Sequence, residues 1–389
     1  MWVINLSLDF DYCTLADVSV NNKGEYGIGA SAVDYSDELY TYLRITDIND
    51  DGTINKNELK SVDDEESYKY LLKENDIVFA RTGNSTGKAY YYDPDDGELV
   101  FAGFLIKFSL DDKKINPKYM KYYVLSEEYN AWVNSMCTGS TRPNINAKMY
   151  GNMNLKLPPR EQQDFLVDIL EKLDKKISIN KKINHNLEKI SSRLYSNLIY
   201  DEKDLEFIEL KEICKFIKGR KPTEISEQYK SDFEDYLTIE VLSNQNQVYA
   251  FDDKGIKAKE KDILMVMDGA SSGKLFYGKK GLVGSTLAKI DVKEDYIELV
   301  YQFLKINEKY ITENTTGSAI PHTDKGLVLS LRLPISEKLT EYSDKFKNIR
   351  LAIISNNNEI MKLQHLRDIL LPKLMSGEID VSEVNCDLD

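Results

Sequence analysis

Hydrophobic and polar positions follow two different periods along the chain, and regions of the two kinds alternate. Short runs rich in Val, Ile, Tyr and Phe, bounded by Gly, Asp and Asn, predict β-strands. They cover residues 39–45, 76–81, 88–92 and 99–108, and later 262–267 and 282–290. Helical patterns lie among them at 117–136 and 295–309. The pattern predicts mixed α/β globular regions.

Apolar residues recur at spacings of three, four and seven after each of two Leu-Pro pairs, which is a heptad pattern. The first series is Leu166, Ile169, Leu173, Ile183, Leu187, Ile190 and Leu194; the second is Leu339, Tyr342, Phe346, Ile349, Ile353, Ile360, Leu363, Leu370 and Leu374. Each series predicts a helix of roughly 40 residues, about 60 Å long. Because a lone helix cannot bury such a stripe, the two helices are expected to pair with each other.

Asn180 and Asn356 both fall on this apolar seam. A polar residue at a seam position fixes the register of two helices at some cost in stability. The alternative is that each Asn is exposed at a break in its helix. The sequence leaves both interpretations open.

The chain contains an internal repeat. The segment Asp76-Ile-Val-Phe-Ala-Arg-Thr-Gly-Asn-Ser-Thr-Gly-Lys88 returns as Asp262-Ile-Leu-Met-Val-Met-Asp-Gly-Ala-Ser-Ser-Gly-Lys274. Thr138-Gly-Ser-Thr-Arg-Pro143 returns as Thr316-Gly-Ser-Ala-Ile-Pro321, and each is followed by a stretch that ends in Leu-Pro. Upstream, Leu15-Ala-Asp-Val18 matches Leu210-Lys-Glu-Ile213, and such landmarks, 176 to 195 residues apart and in the same order, indicate a tandem duplication.

The predicted organisation is globular domain, long helix, globular domain, long helix. The boundaries are 1–158 for the first domain, 159–203 for the first helix, 204–334 for the second domain and 335–380 for the second helix, with a tail at 381–389.

Charge and composition narrow the class of protein. The 389 residues carry 51 basic and 65 acidic side chains, a net charge of −14. This excludes a protein coated in basic surface, although a local basic groove remains compatible with it. No apolar run reaches the ~18 residues of a membrane span, and the N-terminus lacks the pattern of a signal peptide. The four cysteines are scattered, which favours reduced thiols and a cytoplasmic protein.

The segment 47–58 fits an EF-hand loop at ligand positions 1, 3, 5, 7, 9 and 12. An EF-hand needs a helix on each side, whereas residues 39–45 predict a strand. An acidic turn between strands is therefore the favoured interpretation, and a structural calcium site is the alternative.

The duplicated Gly83…Gly87-Lys88 and Gly269…Gly273-Lys274 differ from a nucleotide-binding P-loop. They have three residues between the glycines instead of four, and no Ser or Thr follows the Lys. Two interpretations remain: a backbone that approaches a nucleic-acid phosphate, and a turn with a solvated Lys.

Sequence patterns for catalysis are missing. The three histidines, His185, His322 and His365, are far apart, and no cysteine has an obvious His partner. The chain is therefore interpreted as a non-enzyme. Tyrosine runs such as Tyr90-Tyr91-Tyr92 are more typical of core than of base stacking.

At this point the sequence resembles the specificity subunit of a type I restriction-modification system. The resemblance is carried by the domain order, by Thr138-Gly-Ser…Pro143 leading to Leu157-Pro-Pro-Arg-Glu-Gln-Gln163, and by Leu366-Arg-Asp-Ile-Leu-Leu-Pro-Lys-Leu-Met-Ser-Gly-Glu378. It covers essentially the whole chain. Two departures are the absence of a Glu-Gln pair after Pro334 and the acidic net charge.

The resemblance implies an α+β fold. Two mixed α/β target recognition domains are separated by two long helices that form an antiparallel coiled coil, in a pseudo-twofold internal repeat. Each domain is expected to read half of a split double-stranded DNA target in the major groove, and the helices to set the spacer and dock adenine methyltransferase subunits, of which the resemblance implies two. No cofactor is expected on this chain: S-adenosylmethionine belongs to the methyltransferase, and ATP and Mg belong to a motor-nuclease subunit.

The residues predicted to contact DNA lie in the duplicated segments and in one basic cluster. In the first domain they are Arg81, Thr82, Ser85, Lys88, Ser140 and Arg142; in the second they are Ser271, Ser272, Lys274, Ser318 and His322, with Lys218, Arg220 and Lys221. The alternative function is a coiled-coil scaffold whose domains bind protein and read no DNA. The acidic charge favours the scaffold and the duplicated Gly/Ser/Lys loop favours DNA.

Overall fold

The computed structural model describes residues 10–56, 58–138, 143–243, 247–317 and 319–379. The chain divides into two compact units, the first made of Met1–Lys176 with Lys362–Asp389 and the second of Ile177–Met361. Each unit holds one α/β domain together with a part of each of two long helices, Arg160–Asp201 and Ser343–Ser376.

The first unit contains three small sheets. A two-stranded antiparallel sheet joins Asp11–Thr14 to Asn154–Leu157. An all-antiparallel sheet has the strand order Glu25–Tyr26, Leu105–Ser109, Asp76–Ala80, Ala89–Tyr91. A mixed sheet has the order Ala32–Asp34, Lys60–Val62, Tyr40–Leu43, Leu99–Phe101, in which the last pair is parallel. Its shorter helices are Pro117–Tyr123, Glu127–Cys137 and Ala147–Gly151.

The second unit contains the same three kinds of sheet. The two-stranded sheet joins Glu206–Glu209 to Arg332–Ile335. The antiparallel sheet has the order Cys214–Lys218, Leu287–Val292, Ile263–Val266, Leu275–Tyr277. The mixed sheet has the order Glu224–Ser226, Tyr249–Phe251, Glu234–Leu237, Gly281–Val283, Lys257–Ala258, with Glu234–Leu237 parallel to Gly281–Val283. Its shorter helices are Leu210–Ile213, Ile239–Leu242, Ile297–Ile306, Glu308–Glu313, Lys325–Ser330 and Glu337–Glu341.

The two domains therefore repeat one topology. In each, the antiparallel sheet runs in the same strand order, and the mixed sheet is built around one parallel pair. The aspartate that opens each duplicated segment also has the same role: Asp76 Oδ2 accepts from the Lys73 backbone N–H at 2.9 Å, and Asp262 Oδ2 from the Lys259 N–H at 2.9 Å. The duplication read from the sequence is thus present in the fold.

Two segments predicted as single strands are each divided between sheets. Residues 99–108 form Leu99–Phe101 in the mixed sheet and Leu105–Ser109 in the antiparallel sheet, and residues 282–290 divide in the same way. The turns close with a bond from the Leu105 N–H to the Ala102 carbonyl at 2.8 Å and from the Leu287 N–H to the Gly284 carbonyl at 3.0 Å. One apolar run supplies two sheets because both are buried at this point.

The helical pattern over 117–136 is likewise two helices. The first ends at Tyr123, and Ser126 caps the second, since its Oγ accepts from the Tyr129 N–H at 3.2 Å. The pattern over 295–309 divides at Asn307 into Ile297–Ile306 and Glu308–Glu313.

Aromatic side chains fill the core of the first domain. Phe79 on the central strand packs against Phe108 and Tyr150, with ring centroids 6.0 and 4.7 Å apart. Tyr90 is only 2% exposed, and its hydroxyl donates to Asp96 at 2.7 Å. The prediction that the tyrosine run belongs to the core is confirmed for Tyr90.

The buried stripe of the first long helix differs in part from the predicted one. Residues at intervals of seven, namely Leu170, Ile177, Asn184, Ser191 and Leu198, are all buried. Predicted seam residues Ile183 and Ile190 are 42% and 56% exposed, so those assignments are wrong. The error arises because two true seam positions carry polar side chains.

Within the second unit, asparagines form partly buried contacts between the two long helices. Asn180 Nδ2 donates to Glu359 Oε2 at 2.9 Å, Asn184 Nδ2 to Asn357 Oδ1 at 2.9 Å, and Asn356 Nδ2 to Asn184 Oδ1 at 2.8 Å. Neither Asn180 nor Asn356 lies at a helix break, so that interpretation is wrong.

The second long helix begins later than predicted. Ser336 caps the short helix Glu337–Glu341 by accepting from the Leu339 N–H at 3.2 Å, and the long helix starts at Ser343. Leu339 before the interruption and Phe346 after it are both fully buried in the core of the second domain. Pro372 lies inside the helix and cannot donate a backbone hydrogen bond there.

Candidate nucleic-acid interface

The duplicated loop of the first domain connects Asp76–Ala80 to Ala89–Tyr91 at one end of the antiparallel sheet. Gly83 and Gly87 adopt positive φ values of 73° and 92°, a region in which glycine carries no steric penalty. The Thr86 hydroxyl donates to the Gly83 carbonyl at 2.7 Å and lies 3.3 Å from the Pro143 carbonyl. The loop is thus closed on itself and joined to the segment that follows Thr138.

The second loop repeats this arrangement. Gly269 and Gly273 have φ values of 108° and 91°. The Ser272 Oγ lies 2.7 Å from the Gly269 carbonyl and 2.8 Å from the Pro321 carbonyl. Thr86 and Ser272 therefore occupy the same place in the two copies and make the same contacts.

This geometry corrects one predicted DNA contact. Ser272 is 3% exposed, and its hydroxyl is engaged inside the loop. It stabilises the loop and cannot face a ligand. Thr86, which the sequence analysis did not select, has the equivalent role; its only signal in the sequence is that a hydroxyl recurs at this position.

Arg81 follows the central strand directly and has both backbone groups fixed. Its N–H donates to the Phe104 carbonyl at 3.0 Å, and its carbonyl accepts from the Ile145 N–H at 2.9 Å. The guanidinium carbon lies 4.9 Å from the ring centroid of Tyr26, a cation–π contact. The Tyr26 hydroxyl in turn accepts from the Ala147 N–H at 3.2 Å. Tyr26 was not predicted from the sequence.

The two loop lysines differ in their surroundings. Lys88 Nζ lies 2.8 Å from Asp50 Oδ1, an acidic residue of the 47–58 segment. Lys274 is exposed and lies over the Phe276 ring, 5.2 Å from its centroid. A carboxylate therefore offsets the charge of Lys88, whereas Lys274 has an aromatic neighbour.

Asp268 brings two predicted residues together in the second domain. Lys218 Nζ lies 2.9 Å from Asp268 Oδ2, and His322 Nδ1 lies 2.8 Å from Asp268 Oδ1. Partial burial acts to raise the pKa of Asp268, but the hydrogen bonds from Lys218 and His322 outweigh it and lower that pKa. The carboxylate stays ionised through the neutral range and keeps both side chains in place.

The basic residues predicted to cluster at 218–221 have different surroundings. Arg220 makes a bidentate contact with Asp252, at 3.0 Å from Nε and 2.7 Å from Nη2, and this guanidinium lowers the pKa of Asp252. Lys221 is exposed. Arg220 is therefore held by Asp252 while its side chain stays 45% exposed, and its assignment to a DNA-facing patch stays a prediction.

The remaining predicted contacts fall into two groups. Thr82, Ser85 and Ser271 are half-buried in the loops. Ser140, Arg142 and Ser318 lie outside the described residues.

The segment 47–58 is held by protein contacts at its first ligand position. Asp47 is buried, and its Oδ2 accepts from the Arg44 N–H at 2.8 Å and from Arg44 Nε at 2.9 Å. Strands Tyr40–Leu43 and Lys60–Val62 lie on either side, as the acidic-turn interpretation requires. Across the ranges that the structure describes, no group of three or more His, Cys, Asp or Glu side chains is arranged to hold a metal ion.

The fold and the site define a protein of two repeated α/β domains, each carrying the same loop, with two long helices. The family described as type I restriction modification DNA specificity domain matches residues 9–189 and 202–365, and the chain belongs to this family. This confirms the resemblance seen in the sequence.

Relatives and one solved structure agree with this assignment. The type I restriction enzyme MjaVIII specificity subunit of Methanocaldococcus jannaschii is 28% identical over 183 residues, which are 45% of this chain and 42% of that protein. The chain thus spans less than half the length of that relative. The HindI specificity subunit of Haemophilus influenzae is 21% identical over 80% of this chain and 88% of its own.

The crystal structure of a type I restriction-modification system S subunit from M. genitalium shares the fold. It has a TM-score of 0.59 and 17% identity, and the match covers 96% of this chain and 98% of that one. Among the described residues, no helix is both long enough and apolar enough to span a membrane.

Proposed function

We propose that the chain is the non-catalytic subunit that selects the DNA sequence in a type I restriction-modification complex. Each α/β domain would present its duplicated loop to a major groove and read one half of a split target. The observation that carries this proposal is the recurrence, in both domains, of one loop held to a neighbouring segment by Thr86 or Ser272. Two copies of one reading surface suit a target in two halves.

We further propose that the long helices form an antiparallel coiled coil that sets the unread spacer and docks the adenine methyltransferase. In the second unit, Asn180 faces Glu359 whereas the later Asn184 faces Asn357, as antiparallel helices require. In the first unit, Arg367 Nη1 lies 3.2 Å from Asp174 Oδ1. The exposed Ile183 and Ile190 supply apolar surface for a partner subunit.

The acidic net charge is compatible with this role if partner subunits supply much of the attraction to phosphates. Sequence selection then needs few donors and acceptors per domain. S-adenosylmethionine would be bound by the methyltransferase, and ATP and Mg by a motor-nuclease subunit, so this chain would hold no cofactor.

The test is single-molecule mapping of methylated adenine in the source genome with the gene intact, deleted and restored. Loss of methylation at one split motif on deletion, and its return on restoration, is expected. An unchanged methylation pattern in cells whose methyltransferase is shown to be active would contradict the proposal and leave the scaffold alternative.

A further inference from the structure

We infer that Arg81 recognises a guanine in the half-site bound by the first domain, and that Tyr26 is the residue that positions it. This inference rests on the proposed function and adds the chemistry of one contact. It starts from an arginine whose backbone N–H and carbonyl are both hydrogen-bonded and whose guanidinium carbon lies 4.9 Å from the centroid of an aromatic ring.

The described contacts leave one edge of this guanidinium for a ligand. Arg81 Nε is buried and has no hydrogen-bond partner among the described residues. Neither Nη group is buried without a partner. Tyr26, 44% exposed, and Phe104, 59% exposed, lie beside it at the surface. The Nη groups therefore form a planar pair of donors with a defined direction.

Such a pair matches two acceptors in one plane. Guanine presents O6 and N7 side by side in the major groove, and arginine donating to both is the commonest specific contact to a base. Adenine offers one acceptor and one donor at the same edge, so it would leave one Nη group unpaired.

A phosphate is the competing acceptor, and the surroundings argue against it. Residues 1–159 carry 16 basic and 25 acidic side chains, and the loop cation Lys88 is already paired with Asp50. Phosphate contacts depend on accumulated positive charge, which this domain lacks. A single guanidinium held in a fixed direction suits short-range recognition of a base edge.

The experiment compares wild type, Arg81→Ala and Arg81→Lys by mapping methylated adenine in cells that carry the cognate methyltransferase. Arg81→Ala should lower methylation of the native motif and allow other bases at one G·C position in one half-site, with discrimination there falling on the order of 10- to 100-fold. The other half-site should stay unchanged. Arg81→Lys should resemble Arg81→Ala, because an ammonium cannot make the paired contact.

Tyr26 and Arg332 supply the positioning test and the control. Tyr26→Ala should relax the same G·C position as Arg81→Ala, whereas Tyr26→Phe, which keeps the ring, should retain most of the discrimination. Arg332 also lies on an aromatic ring, that of Phe207 at 5.4 Å, but in the two-stranded sheet of the second domain; Arg332→Ala should leave both half-sites intact.

The outcomes separate the two proposals. If wild type methylates no split motif, the proposed function fails. If wild type methylates a split motif but Arg81→Ala keeps full discrimination at every position, the assignment of Arg81 is overturned. It is also overturned if Arg81→Lys methylates the native motif as wild type does, because a lysine can replace an arginine at a phosphate but not at a guanine edge. A half-site without any G·C pair would overturn it as well.

Discussion

At the scale of single residues, the two copies of the loop share the side chains that maintain its shape and differ at the two positions that follow the central strand. The glycines recur, and a hydroxyl at Thr86 or Ser272 ties the loop to a neighbouring carbonyl. By contrast, Arg81 in one copy corresponds to the buried Met267 in the other, and Thr82 corresponds to Asp268. A common loop can therefore present different chemistry in each domain.

Gly87 and Gly83 allow this shape requirement to be tested. A Cβ at Gly87 would collide with the Val133 side chain, whereas a Cβ at Gly83 meets nothing within 4 Å. Gly83→Ala should therefore cost only the strain of a positive φ, about 1–2 kcal/mol. Gly87→Ala should cost about 2–4 kcal/mol, because overpacking is added to that strain. Urea unfolding of both variants measures the difference, and equal losses would contradict the assigned role of Val133.

The loop lysines give a prediction for DNA binding. Lys274→Ala should weaken binding of the full chain to a generic duplex and reduce the slope of log K against log salt by about 1. Lys88→Ala should have a smaller effect, because Asp50 already pairs with Lys88. Fluorescence anisotropy at several salt concentrations measures both slopes. If neither slope changes, the two lysines are only turn residues.

At the scale of helices and strands, periodicity located the long helices but not their full contact surface. Leu166 is buried as predicted, yet Asn184 and Ser191 occupy seam positions that an apolar pattern cannot reveal. The heptad prediction included Ile183 and Ile190 in their place because these are the apolar residues nearest to the expected spacing. Likewise, one apolar run at 99–108 concealed two strands, since both sheets are buried where it passes between them.

Asn184 is the centre of the polar contacts between the helices in the second unit. Asn184→Ala should destabilise this unit by about 2 kcal/mol, because the amides of Asn356 and Asn357 lose their partner in a partly buried setting. Asn186, exposed on the same helix, is the matched control, and Asn186→Ala should stay within about 0.5 kcal/mol of wild type. Thermal and urea unfolding measure both. If Asn184→Ala has the same free energy of unfolding as wild type, these contacts make no net contribution to stability.

The candidate site was predictable from sequence only where the duplication marked it. The repeat located both loops, but it could not show that the Ser272 hydroxyl faces inward. Arg220 and Lys218 were selected for their charge, and their partners Asp252 and Asp268 lie 32 and 50 residues away along the chain. Contacts between such distant positions arise from tertiary structure, so local composition overestimates how much positive charge is free.

At the scale of the whole molecule, the proposed spacer role makes helix length a determinant of the DNA target. Inserting seven residues into each long helix, after His185 and before Asn356, keeps the heptad register and adds about 10 Å to each. The unread gap should lengthen by about three base pairs at 3.4 Å per base pair, with both half-sites unchanged. Mapping of methylated adenine reads the gap directly, and an unchanged gap would contradict the spacer proposal.

The two-stranded sheets have a consequence for how such genes can change. In each domain the first and last strands, Asp11–Thr14 with Asn154–Leu157 and Glu206–Glu209 with Arg332–Ile335, lie side by side and antiparallel. The chain therefore enters and leaves each domain at one place, and closely spaced ends are what makes insertion of a whole domain tolerable. A recombination event with both crossovers in these strands would replace one domain as a cassette and leave the helices untouched. New specificities can then arise by exchange of intact parts, without passing through a series of point mutations.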